Sequence, residues 1–253
     1  MTTASRATCE NDARQALIDA ACSMNALRIN HGKAGNVSMR WPRSAADGML
    51  ITPSAIPYER LSIDDVVWLP LADSAAAPAA IAAPDGLRSA PLDTDSPPQV
   101  DGPRRPSFEW RFHRDIYRAR AATGAIVHAH ASYCTSLACL PAVQQHGIPA
   151  FHYMIAAAGG DSIRCARYAT FGTQQLSDAA LQALADRDAC LLAHHGMIAI
   201  GADLAAALEL AVEVEALARM YWQVLQLGEP ATLDAAEMRR VLERFARYRD
   251  PQA

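Results

Sequence analysis

Between residues 10 and 30 the apolar positions Ala13, Leu17, Ala20, Ala21, Met24 and Leu27 recur every three to four residues, the spacing of one buried helix face. A helix is predicted there, with His31-Gly32 as its stop. The pattern then shortens. Residues 35–40 alternate and meet MLITPS at 49–54 across the polar stretch RSAADG, which predicts two paired strands, and DDVVWLPL at 64–71 predicts a third. From 72 to 106 Ala, Pro, Asp and Ser replace nearly every large apolar residue. Such a stretch is too long for an ordinary connection inside a compact domain and reads as a mobile insertion rather than a linker.

Downstream, Pro106-Ser107 is read as the opening of a helix that reaches about Arg120, with Ser107 as N-cap and Glu109 in the first turn. AIVHAHA at 125–131 reads as a strand and 132–140 as a short helix. Residues 149–160 and 189–200 supply further strands, with a helix from Ser177 to Ala185 between them. A long helix from Asp203 to about Leu227 and a last one from Asp234, with Glu237 at capping-box spacing, close the pattern. Helices and strands mix without regular βαβ alternation. The expected fold is therefore α/β, a three-layer α/β/α arrangement on a central, largely antiparallel or mixed sheet, with 1–253 as a single domain interrupted at about 72–106.

Composition narrows the function classes. A net charge of −4 gives no electrostatic footprint for nucleic acid, and 51% hydrophobic residues argue against disorder. No apolar run reaches the ~18–20 residues that span a bilayer, and MTTASRATCENDARQ lacks a basic-then-apolar leader pattern. A cytoplasmic enzyme-like domain without membrane or nucleic-acid partners is expected. The six cysteines are scattered with no CxxC spacing, as reduced, mostly buried thiols would be.

The chemistry that stands out is His128-Ala129-His130. On a strand, side chains at i and i+2 share a face, so two imidazoles lie side by side. The pair alone serves packing and metal binding equally well. A catalytic zinc site takes three protein ligands and keeps one position open, and the third ligand is sought in His194-His195-Gly196, where at most one histidine joins the cluster and the glycine permits close approach. Glu109 is either a metal-site carboxylate or an acid favoured at a helix N-terminus by the dipole. His31, His113 and His146 have no pattern around them and are assigned structural or surface roles. The lone lysine, Lys33, gives little support to a Schiff-base mechanism.

Six stretches taken together, GKAGNVSMR (32–40), MLITPSAIPYERL (49–61), PSFEWRFHRDIYRAR (106–120), AIVHAHASYCTSLA (125–138), IPAFHYMIAAAGGDSIRCARYATFGTQQLS (148–177) and LLAHHGMIAIGADLAAAL (191–208), resemble the class II aldolase/adducin family. The resemblance runs in order along nearly the whole chain apart from the insertion. It implies one divalent ion per subunit, Zn2+ with Mn2+ or Co2+ as alternatives, held by His128, His130 and His195, with Glu109 as acid/base and occasional ligand. It implies that Gly35, Asn36, Ser54, Ala55 and Ser107 surround a substrate phosphate. It also implies that Tyr153 is a catalytic tyrosine supplied across a subunit boundary, that Tyr248 closes over a neighbour's site, and that the assembly is a homotetramer.

The implied activity is retro-aldol cleavage of a ketose 1-phosphate, either L-fuculose 1-phosphate or a 5-deoxy or 5-methylthio pentulose 1-phosphate, to dihydroxyacetone phosphate and an aldehyde. A decarboxylase or dehydratase of the same family, or a non-catalytic adducin-like module, are the competing readings. Glutamate at 109 argues against the family's epimerases, which carry aspartate there. Two positions depart from the family pattern. Phe108 stands where a second hydroxyl residue is expected, and Ala55 stands where glycine is usual.

Overall fold

The computed structural model describes residues 9–44, 46–72 and 100–249. Seven strands form one sheet: β1 (Asn36–Arg40), β2 (Gly48–Ile51), β3 (Val67–Pro70), β4 (Ala125–Ala129), β5 (Cys165–Ala166), β6 (Ala189–Leu192) and β7 (Gly196–Gly201). They lie in the order β3-β2-β1-β4-β7-β6-β5. Among the described residues only the β5–β6 pair is parallel; the other pairings are antiparallel. Helices cover both faces, α1 (Glu10–Ala26), α3 (Ser132–Ala138), α6 (Leu204–Leu225) and α7 (Ala235–Arg249) on one side, α2 (Trp110–Ala119) and α5 (Gln174–Ala183) on the other, with α4 (Pro141–His146) following α3.

The strand alternation divides the core in two. Val37, Ala125, Val127, Ala129 and Met197 face the α1/α3/α6 layer, while Ile51, Ile126, Cys190, Ile198 and Ile200 face α2 and α5. His128 falls on the second face of the central strand β4, where the next residue of that row would ordinarily be apolar. The first layer is fastened by an acid: Glu215 of α6 accepts the N–H groups of Tyr133 and Cys134, each at 2.9 Å. That capping substitutes for Ala131, which has no side chain to offer at the start of α3. Thr173, Asp203 and Asp234 cap α5, α6 and α7 in the ordinary way.

Three sequence expectations need correction. The helix read from Pro106-Ser107 begins at Trp110, with Glu109 at its N-cap position. Residues 106 and 107 are instead held extended beside β2, since Pro106 pairs with Pro53 and the Ser107 N–H reaches the Thr52 carbonyl at 3.0 Å. The strand read over 149–160 is a 3-10 helix, Tyr153–Ala158, opened by the His152 side chain accepting from Met154 N–H and ended by Gly159 at φ 91°. A short apolar run has no period of its own, which is why it deceives. The helix read from Ser177 starts at Gln174, on the Thr173 cap. Most of the Ala/Pro-rich insertion, 73–99, lies outside the described residues. Its far end returns along the sheet edge, where Asp101 pairs with Trp68 of β3.

Candidate metal centre

Three separate structural devices bring four side chains together. β4 presents His128, fully buried, and His130 follows one residue past the strand end. The β6–β7 turn reverses through His194 at φ 57°, which swings His195 inward. The next residue, Gly196, lies so close to β4 that a Cβ there would sit 2.4 Å from the Ala129 carbonyl oxygen. Glu109 arrives from the N-terminus of α2, 6% exposed. Glu109, His128, His130 and His195 each offer a ligand atom, all within 4.8 Å of one another.

The chemistry of these donors calls for a cation. His128 Nδ1–H donates to the Met197 carbonyl at 2.9 Å, so in the neutral ring the Nε2 lone pair is the one aimed inward. That Nε2 lies 3.2 Å from His130 Nε2 and 3.0 Å from Glu109 Oε2. Burial, reinforced by the charges of His128 and His195, pushes His130 down to about 4, so at neutral pH it too offers a lone pair. Burial works to lower His128 as well, but the Glu109 carboxylate overrides it and the net direction is upward. Burial works to raise Glu109, yet the charge of His128 and the close approach of His128 and His195 hold it well below the usual carboxylate range. A divalent ion bound here would take over the stabilisation that His128 and Glu109 now give each other. The two carboxylate oxygens are unequal: Oε2 meets both Asn36 and His128, whereas the buried Oε1 has no hydrogen bond and only His195 Nε2 beside it, at 3.1 Å. A buried carboxylate oxygen with no hydrogen bond, amid imidazole nitrogens, fits a divalent metal.

The cluster opens into a cleft of about 310 Å³ whose walls include Gly35, Asn36, Ser54, Ala55 and Ser107, the residues expected around a phosphate. Gly35 packs so closely that a Cβ would stand 2.4 Å from the His128 carbonyl oxygen. The Asn36 amide is already engaged, donating to Glu109 Oε2 at 2.8 Å and accepting from His113. Ser54 donates to the Pro106 carbonyl at 2.8 Å, and Ser107 Oγ accepts from the Glu109 N–H at 3.3 Å. Phe108 lies on the cleft wall, 54% exposed. Tyr153 is elsewhere: it lines a separate cavity with Met154, Arg244, Phe245 and Arg247. Tyr248 belongs to α7, but its side chain lies outside what is described.

Two residues of this neighbourhood escaped the sequence reading. Lys33 lines the cleft with its Nζ on the Ala55 carbonyl at 3.1 Å, which leaves two N–H donors for an anion. His113, assigned no pattern, is fully buried and bonded to Asn36. The signal was present as Glu109, His113 and Tyr117, a polar stripe at intervals of four along α2.

Comparison with known proteins agrees with this geometry. Residues 15–222 match the family described as Class II Aldolase and Adducin N-terminal domain, and the chain belongs to that family. It is 49% identical over 94% of its length to a 5-methylthioribulose-1-phosphate/5-deoxyribulose-1-phosphate aldolase of Rhodospirillum rubrum, of which 92% is covered. It is 43% identical over 93% of its length to the L-fuculose phosphate aldolase of Escherichia coli K12, of which 94% is covered. Among solved structures, one of L-fuculose 1-phosphate aldolase superposes with a TM-score of 0.76 at 32% identity, covering 97% of this chain and 98% of that one.

Proposed function

We propose that this protein is a divalent-metal-dependent aldehyde-lyase that splits a ketose 1-phosphate into dihydroxyacetone phosphate and an aldehyde. The observation that carries the reading is the convergence of His128, His130, His195 and Glu109 on one point at the floor of the cleft, with Glu109 Oε1 left without a hydrogen bond. The substrate classes to which the relatives' names point are L-fuculose 1-phosphate and the 5-deoxy and 5-methylthio pentulose 1-phosphates.

The three histidines and Glu109 would hold the ion, for which Zn2+ is our assignment. When bound, such an ion supplies a Lewis acid to the ketose oxygens and an electron sink for C3–C4 cleavage. The chain's own groups do the rest. Breaking C3–C4 requires that the C4 hydroxyl lose its proton as the aldehyde forms and that C3 gain one. Glu109, once substrate oxygens take its place at the ion, would accept a proton from water in the cleft and pass it to C3. Tyr153, contributed by a neighbouring subunit of a homotetramer, takes the C4 hydroxyl proton, and Tyr248 closes over that neighbour's site. At the phosphate end, backbone N–H groups at Gly35 and Asn36, the hydroxyls of Ser54 and Ser107 and the Lys33 ammonium would hold the anion.

The test is release of dihydroxyacetone phosphate from a panel of ketose 1-phosphates and their unphosphorylated forms. Cleavage of at least one phosphorylated member is expected, with His128→Ala losing both its bound ion and at least the ~10–100-fold in activity that disturbing even an outer partner of a ligand costs. A wild-type protein that retains no divalent ion, and whose turnover His128→Ala leaves intact, would sink the reading.

A further inference from the structure

We propose that His113 is a positioning residue, which acts through Asn36 to keep Glu109 Oε2 against His128 and Oε1 on the side of His195. This rests on the role given to Glu109 above.

The hydrogen bonds fix their own direction. A carboxylate oxygen only accepts, so the atom of Asn36 that lies 2.8 Å from Glu109 Oε2 is the amide nitrogen. Its oxygen is then the atom 2.5 Å from His113 Nε2, which must carry the imidazole proton. The other ring nitrogen, Nδ1, is left to accept, and it takes the Ser38 hydroxyl proton at 2.7 Å. The Ser38 oxygen in turn receives the Tyr117 hydroxyl at 2.9 Å. Every donor in this chain points toward Glu109, and a run of aligned neutral dipoles ending on an anion is mutually reinforcing. Its members are sealed from water, with Ser38 and His113 at 0%, Tyr117 at 1% and Asn36 at 3% exposure.

The result is an asymmetric carboxylate. Oε2 is held by Asn36 and His128, while Oε1 has no hydrogen bond. Without the His113 N–H, the Asn36 amide loses the contact that orients it, and the carboxylate is free to rotate and exchange its two oxygens. The chain joins Asn36 and Ser38, on one face of β1, to Glu109, His113 and Tyr117, one stripe of α2. A plain polar zipper between strand and helix would use the same bonds, so the test must separate the two.

The full-length protein is compared as wild type, His113→Phe, His113→Gln, Asn36→Ala and the Asn36→Ala/His113→Phe double variant. Three readouts are taken: kcat and KM for the best substrate of the panel, the divalent ion retained against a competing chelator, and Tm. His113→Phe is expected to lower kcat and ion retention by ~10–100-fold with KM held within about twofold. His113→Gln, whose amide nitrogen can replace Nε2 as donor to Asn36, should recover most of that loss. On the Asn36→Ala background the His113→Phe change should add nothing further, since its route is already cut. Should His113→Phe not fold, Ser38→Ala removes the hydroxyl that sets the tautomer while keeping the ring, and the same fall in kcat at unchanged KM is expected. Unchanged kcat in His113→Phe, losses that multiply in the double variant, or a His113→Gln as impaired as His113→Phe would each overturn the proposal. If wild type cleaves no member of the panel, the aldolase reading fails, and the positioning of Glu109 stands or falls on the ion-retention cycle.

Discussion

Ala55 holds a φ of 66° on an exposed stretch of the cleft wall, and its carbonyl carries the Lys33 ammonium. A Cβ in the left-handed region costs roughly 1–2 kcal/mol, and the exposed methyl has little packing to offset that. Ala55→Gly should therefore stabilise the protein, by about 0.5–1 kcal/mol once the greater freedom of glycine in the unfolded chain is subtracted. Denaturant unfolding at constant m-value measures it, and a less stable variant would show that the methyl is packed after all. The same conformation at His194 is put to use, because it is the reversal that aims His195 at the other histidines. Strain at one residue is thus functional and at the other removable, although both have a similar positive φ.

At the scale of elements, α1 is tied to the β1–β2 connection by one carboxylate. Glu10 meets Arg14 and Arg43, each at 2.7 Å. The Arg43 hydrogen bond, opposed by burial and helped by Arg14, lowers Glu10 from 4.5 to about 2. A carboxyl depressed on folding stabilises the protein above its unfolded pKa, and that contribution is lost as pH falls toward the folded one. Glu10→Gln should therefore cost about 0.5 kcal/mol at pH 7, a modest figure because the group is partly exposed. Urea unfolding at pH 7 and pH 3 should find the gap between variant and wild type narrowing, and a gap that persists at low pH would refute the assignment.

Elements with a clear period were legible in the sequence. The stripe of α1 and the paired β1 and β2 lie where the alternation put them, β4 does so as far as Ala129, one residue short of His130, and the three-layer order followed from the mixture of helices and strands. The boundary of α2 was not legible, because the bonds that keep residues 106 and 107 extended come from Thr52 and Pro53, some fifty positions away in the chain. His113 was hidden for another reason. It sits among Arg111, Arg114 and Arg118, so its helix reads as a charged surface, and only the packed sheet reveals that one of its stripes is dry.

For the whole molecule, the homotetramer is the proposal to be tested, since the described chain sets Glu109, His130 and His195 along one cleft and leaves Tyr153, half-exposed, in a separate cavity beside Arg244 and Arg247. Size-exclusion chromatography with light scattering should give four times the 27.2 kDa chain. A stable monomer with full activity would take Tyr153 out of the reaction. The separation of Tyr153 from the histidines has a genetic consequence as well. His128→Ala and Tyr153→Phe would each silence a uniform assembly, yet a mixture of the two chains places an intact histidine cluster opposite an intact tyrosine at some of its boundaries. Two dead proteins, unfolded and refolded together, should come back partly alive.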